Sequence, residues 1–118
     1  MSNSLVGIAI DCADAPTLGR FWADVLGRQV AADSTSEHVI LLPGDGDTGS
    51  PLITFNKVPE PKTVKNRLHL DLISETFEAE TERLLSLGAH RLRDLQRDKS
   101  SWTTFADIEG NEFDLIAG

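Results

Sequence analysis

Ser101–Gly118, SWTTFADIEGNEFDLIAG, is the stretch whose reading decides the fold. Trp102, Thr103, Thr104, Phe105 and Ala106 are β-favouring or small. Asp107–Asn111 break that run with residues that tolerate turn geometry. Phe113, Leu115 and Ile116 resume it, with Glu112 and Asp114 on alternate positions. The pattern predicts a hairpin with one apolar face and one partly acidic face. Asp is a poor strand former, so Asp114 inside a strand points to a role for its carboxylate. An ordinary solvent-facing strand is the alternative.

Outward from this hairpin the chain repeats itself. Residues 5–12 read as a strand with Ile8, Ile10 and Cys12 on one face and Gly7, Ala9 and Asp11 on the other. Asp14 fits a helix N-cap with Pro16 in the first turn. Leu18, Phe21, Trp22, Val25 and Leu26 follow as one apolar stripe, and Gly27 ends the helix. Gln29–Asp33, Glu37–Leu42 and Leu52–Val58 read as strands, with Pro43–Pro51 as a turn or loop. After the connector Pro59–Asn66 the order restarts. Arg67–Ile73 is a strand carrying Leu68, Leu70 and Leu72 on one face and Arg67, His69 and Asp71 on the other. Thr76–Leu87 is a helix with Phe77, Thr81, Leu84 and Leu85 inward, ended by Gly88. Arg91–Leu95 and the hairpin complete it. The chain therefore reads as a duplication anchored on Leu26-Gly27 and Leu87-Gly88. Module one covers about 5–58 and module two about 67–117. Neither copy alone can bury its sheet well.

Composition sets outer bounds. The 118 residues suffice for one domain with a core, and 40% are hydrophobic. No apolar run reaches the roughly 18 residues a membrane helix needs. No secretory signal is visible, and the single Cys12 excludes an internal disulfide, so a cytoplasmic setting is expected. A net charge of −8 argues against nucleic acid as a partner. Gly44, Gly46 and Gly49 fit GxGxxG spacing, but no strand–helix junction surrounds them, so a glycine-rich turn is the better reading.

Two βαβββ modules in so short a chain resemble the vicinal oxygen chelate superfamily, which includes glyoxalases, bleomycin-resistance proteins and extradiol dioxygenases. Asp14 with Phe21-Trp22-Ala23-Asp24-Val25-Leu26-Gly27 resembles the opening of the first module. Arg67-Leu68-His69-Leu70-Asp71-Leu72 resembles the opening of the second, and Leu84-Leu85-Ser86-Leu87-Gly88-Ala89 its helix end. Asp107-Ile108-Glu109-Gly110-Asn111 resembles the family's D-P-x-G-N turn, with Ile108 in the proline's place. The resemblance spans almost the whole chain and is closest to the glyoxalase-like branch. It implies an α+β fold, an open cup-shaped mixed sheet built from both modules in a single domain, and a homodimer.

The resemblance also implies a metal position. His69 matches the first-strand ligand of module two, and Asp114 the last-strand carboxylate, one carbon shorter than the usual Glu. In module one the matching positions fall near Gly7 or Ile8, and within Ile53–Asn56, where no His or carboxylate stands. Two side chains survive of four. By strand parity Asp11 and Asp71 could join His69 and Asp114, and one His with carboxylates would suit Mn, Fe, Ni or Zn. Without metal, the same cluster could do acid–base chemistry, with Asp71 or Asp11 as the base. The plain alternative is that His69 pairs with Asp71 or Asp114 and fixes strand register. Trp102, Phe55, Asn56 and Arg67 are the candidates for contacting a ligand; core packing competes for Trp102, and a solvated loop for Arg67. Lys57, Lys62, Lys65 and Arg67 concentrate cations beside the connector and could attract an anion.

Three functions remain open on this reading. The first is small-molecule binding of the bleomycin-resistance type, with a degenerate metal site and no organic cofactor. The second is a metal-dependent lyase, isomerase or dioxygenase using His69 and Asp114. The third is a regulatory or structural domain without chemistry.

Overall fold

The computed structural model describes residues 2–44 and 49–118. Residues 45–48, and with them Gly46 of the glycine-rich turn, lie outside the described residues. The chain divides into two compact units, 1–61 and 62–118, and the division falls in the proline-containing connector.

The first unit runs β1 (Gly7–Cys12), α1 (Ala15–Leu26), β2 (His38–Leu41) and β3 (Leu52–Lys57). Its sheet has the order β1-β3-β2, with β1 parallel and β2 antiparallel to β3. The helix forms where capping and patterning agree. The Asp14 carboxylate accepts the Thr17 N–H at 3.1 Å, Pro16 sits in the first turn, and Gly27 closes the helix at φ 64°. Leu18, Phe21, Trp22 and Val25 are buried, with Phe21 and Trp22 edge to face at 5.5 Å. Gly19 lets α1 come close to the sheet: a Cβ there would meet Val39 Cγ1 at 2.6 Å.

The second unit runs β4 (Asp71–Ser74), α2 (Phe77–Leu87), β5 (His90–Arg97), β6 (Ser100–Ala106) and β7 (Glu112–Ala117). Its sheet order is β4-β7-β6-β5, with β4 parallel to β7 and the other pairs antiparallel. The expected hairpin is β6–β7, and its cross-strand pair Phe105–Phe113 stacks at 5.6 Å. Phe105, Phe113 and Leu115 on one face are buried with Leu84 of α2. Asp114 and Ile116, on the other, are only half-buried. Two mixed sheets and two helices, βαββ in the first unit and βαβββ in the second, give the expected α+β class.

Three expected elements come out differently. The strand expected over Gln29–Asp33 shrinks to a bridge between Val30 and Leu41. Ala31 N–H and Leu42 N–H bond across to Ile40 and Gln29, but Ser34 N–H then bonds back to Ala31 O and turns the chain away. The strand expected over Arg67–Ile73 begins only at Asp71. Leu68, expected on its apolar face, is 64% exposed. The stripe of α2 is narrower than expected, because Leu85 is exposed and only Thr81 and Leu84 are buried.

Candidate functional site

The open face of the second sheet is built in rows across its strands. Asp71, Asp114, Thr104 and Arg93 are register partners on β4, β7, β6 and β5. Two residues further along lie Ile73, Ile116, Trp102 and Leu95, and beyond them Ser100 and Arg97. Period-two alternation puts each row on one face, so a polar row borders an apolar row, which borders a hairpin end.

His69 precedes β4 and meets the polar row. Its Nδ1 lies 3.2 Å from Asp71 Oδ1 and 3.7 Å from Asp114 Oδ2. Asp114 is the anchored member: its side chain is only 16% exposed. The buried Thr104 hydroxyl donates to Asp114 Oδ1 at 2.6 Å. That bond fixes the carboxylate and leaves its other oxygen toward the imidazole. Arg93 donates to Glu112 at 2.6 Å instead of neutralising the cluster.

A ligand atom from each of His69, Asp71 and Asp114 lies within 4.8 Å of the others. Donors around a divalent ion with bonds near 2.1 Å stand about 3 Å apart, so small side-chain adjustments bring the three together on one ion. Two carboxylates converging on one imidazole make an anionic spot whose repulsion a cation relieves. One nitrogen with carboxylate oxygens suits Mn, Fe, Ni or Zn. The donor set therefore fits a metal, and the site keeps open positions.

These residues line a cavity of about 570 Å³ together with Trp102 and Ile116 on one side and Arg97 and Ser100 on another. Of the candidates read from sequence, His69, Asp71, Asp114 and Trp102 share this cavity. Arg67, two residues before His69, is exposed, and no hydrogen bond or ion pair ties it to another of the described residues. Asp11, Phe55 and Asn56 belong to the first unit. Asp11 is exposed on β1 opposite Asn56, which the His38 ring contacts from β2. Phe55 is a correction: it is fully buried in the helix–sheet core and offers a ligand no surface. The reason is β3 parity, which turns Ile53 and Phe55 to the core and Thr54 and Asn56 away from it. Two of the connector cations have partners of their own. Lys62 bonds Val64 O, and Lys65 approaches Glu112 at 3.9 Å.

Sequence reasoning missed Thr104, Arg97 and Ser100. Ser100, Trp102 and Thr104 alternate along β6, so the parity that singled out Asp114 could have found them. Arg97 was hidden by the register shift between Arg91 and Arg93, which moves the later residues of β5 to the other face.

The profile of the glyoxalase-like domain family matches residues 7–116. No curated protein matches the chain. Among solved structures, the fosfomycin resistance protein FosX of Listeria monocytogenes is 20% identical with a TM-score of 0.78, over 100% of this chain and 95% of that one. A mutant of that FosX, complexed with Mn(II) and dihydroxypropylphosphonic acid, is 19% identical with a TM-score of 0.79, over 100% and 92%. A glyoxalase/bleomycin resistance/dioxygenase family enzyme of Burkholderia phytofirmans is 20% identical with a TM-score of 0.76, over 98% of each chain. At these identities the likeness is one of fold. With the profile covering nearly all of its length, this chain belongs to the glyoxalase-like domain family.

Proposed function

We propose that this protein binds a small oxygen-bearing molecule at a divalent ion held by His69, Asp71 and Asp114. The observation that carries the reading is the convergence of three donor side chains inside one ligand-sized cavity. The Mn(II) in the FosX complex is a property of that protein, and it makes Mn(II) the first ion to try. When bound, such an ion polarises an oxygen of the ligand. The chain's own part is to orient. Thr104 holds Asp114, Trp102 and Ile116 exclude water from one wall, and Asp71 is the exposed carboxylate beside the imidazole.

A lyase, isomerase or dioxygenase activity would hold the ion through His69 and Asp114 and leave Asp71 as the base, with Asp11 as the second candidate. Loss of turnover in D71N but not D11N, with metal retained, would assign the base. We also infer a homodimer in the cytoplasm. Leu5, Val6, Val64, Leu68 and Ile73 are all more than 60% exposed, and β4 and β5 leave sheet edges for a partner to cover. Cys12, the single cysteine, is buried. Among the described residues, no helix is long and apolar enough to cross a membrane. Light scattering after gel filtration reads the oligomeric state directly.

The metal reading is tested by mass-spectrometric metal content of untagged protein after incubation with Mn(II), Fe(II), Ni(II) or Zn(II). Near-stoichiometric metal is expected, falling at least tenfold in H69A and in D114N. Metal-free protein under all four conditions would overturn it.

A further inference from the structure

The sequence of β5, HRLRDLQR, places three arginines on one edge strand of an acidic chain. Two of them are neutralised. Arg91 Nη2 contacts Asp94 at 3.0 Å, and Arg93 Nη2 contacts Glu112 at 2.6 Å. Among the described residues Arg97 has no ion pair, and it is the one Lys or Arg of them that lines the candidate cavity. Across the two-residue turn Asp98–Lys99, where Asp98 takes φ 55°, Arg97 faces its register partner Ser100. A guanidinium and a hydroxyl therefore stand together at the hairpin end.

Row spacing gives the distance. Two residues along a strand advance about 6.7 Å. The Trp102–Ile116 row lies one step from the Asp71–Asp114 row, and Arg97–Ser100 lies two steps away. A ligand touching both ends of the cavity is thus about one ring long with a substituent at each end. The middle of its path runs over the indole of Trp102 and the side chain of Ile116, which offer a flat apolar surface.

Charge sets the nature of the far substituent. The cavity lining carries three carboxylates, Asp71, Asp98 and Asp114, against the guanidinium of Arg97. Alone it repels anions. One divalent ion brings the lining to neutrality, and Arg97 is then free to receive an oxyanion by charge-assisted hydrogen bonds.

Resting on the metal reading above, the geometry points to a ligand class. It has an oxygen-chelating head at His69, Asp71 and Asp114, a flat apolar body over Trp102 and Ile116, and a carboxylate-like anion received by Arg97 and Ser100.

Three hydroxamates serve as probes: benzohydroxamate, 4-carboxybenzohydroxamate and its neutral isostere 4-carbamoylbenzohydroxamate. Each is titrated against Mn(II)-loaded protein, with Trp102 fluorescence and calorimetry as readouts. The carboxylate probe is expected to bind at least tenfold more tightly than the carboxamide. R97Q, at an exposed position outside the three metal donors, is expected to erase that preference while Mn(II) uptake is retained. R97K should keep part of the preference. Metal-free protein after incubation with each of the four ions would overturn the metal reading and this proposal together; if another of the four is taken up instead of Mn(II), the probes are titrated against protein loaded with that ion. Uptake with equal affinity for the two substituted probes, no binding of any probe, or a preference that survives R97Q would each overturn this proposal alone.

Discussion

Asn66 and Glu112 pair as two strand residues do, although one of the partners is a side chain. Asn66 Oδ1 accepts the Glu112 N–H at 2.8 Å, and Asn66 Nδ2 donates to the Glu112 carbonyl at 3.0 Å. The same Nδ2 donates to Leu68 O at 2.7 Å. The amide thus fills the place beside β7 that a longer β4 would have taken. Leu70 O, accepting the Asp114 N–H at 3.0 Å, is the next tie. Between these two points the chain carries His69.

It follows that Asn66 positions His69 without touching it. N66A is expected to weaken Mn(II) binding about tenfold, the lower end of what loss of ligand-orienting contacts costs. Hydrogen exchange at the Glu112 amide should accelerate in the same variant without metal, while β5–β6 amides stay protected. Unchanged Glu112 exchange would show that the clamp is not holding the segment.

Thr81 is the opposite case, a polar group with nothing to hold. It stands in α2 where an apolar residue fits the stripe, is 2% exposed, and its hydroxyl has no hydrogen-bond partner among the described residues. Burying an unsatisfied hydroxyl costs about 1–3 kcal/mol. Valine has nearly the same shape and no such group. T81V is therefore expected to stabilise the protein by about 1 kcal/mol, raising Tm by about 4 °C. A melting temperature at or below that of the parent protein would refute the claim.

Acid should unpick a different contact. The Thr103 hydroxyl donates to Asp94 Oδ1 at 2.8 Å, and Arg91 adds Nε and Nη2 at 3.2 and 3.0 Å. These bonds, the Thr103 one foremost, hold the Asp94 carboxyl below its ordinary value of 3.8. A depressed folded-state value means that ionised Asp94 stabilises the fold. That contribution is complete above the unfolded value and disappears as pH falls through the lower folded one. The Tm difference between the parent protein and D94N is expected to be widest near neutral pH and to close as pH falls below 3.8 and through the lowered folded-state value. A gap of constant size across that range would contradict the assignment. Asp14 follows the same sign, its carboxyl lowered chiefly by the Thr17 N–H.

Much of this was legible in the residues because local and long-range signals agreed. Helix α1 has its cap, its stripe and its stop in sequence, and the structure uses all three. The hairpin shows its parity in the residues themselves, which sets Asp114 apart from Phe113 and Leu115. What sequence could not show was how far a pairing extends. Val30 and Arg67–Leu70 look as strand-like as their neighbours, but the turn back at Ser34 shortens one pairing and the Asn66 amide replaces the start of the other. Phe55 fell to the same limit, since which face of β3 meets the helix is decided by packing. Arg97 needed the β5 irregularity, which no local pattern announces.

Asp107 is where the hairpin's register is set. It is 2% exposed, yet each carboxylate oxygen is used. Oδ1 accepts the Glu109 and Asn111 N–H groups, both at 2.9 Å, and Oδ2 accepts from Asn111 Nδ2 at 3.3 Å. The backbone closes the same turn, with Asp107 N–H to Asn111 O at 2.8 Å and Gly110 N–H to Asp107 O at 2.9 Å. Gly110 supplies the φ of 87° that the turn requires. A slip of one residue here would carry Phe113 and Leu115 to the open face and Asp114 into the core. D107A removes the acceptor of two backbone N–H groups in a half-buried turn and is expected to cost about 1–2 kcal/mol, or about 6 °C in Tm. D107N keeps an oxygen for the two N–H groups but sets an amide against the Asn111 amide, so it should cost about half as much. Because Asp114 depends on the register, D107A should also weaken Mn(II) binding, whereas T81V leaves it alone. A D107A protein within about 0.5 kcal/mol of the parent would mean that the backbone bonds and Gly110 set the register without the carboxylate.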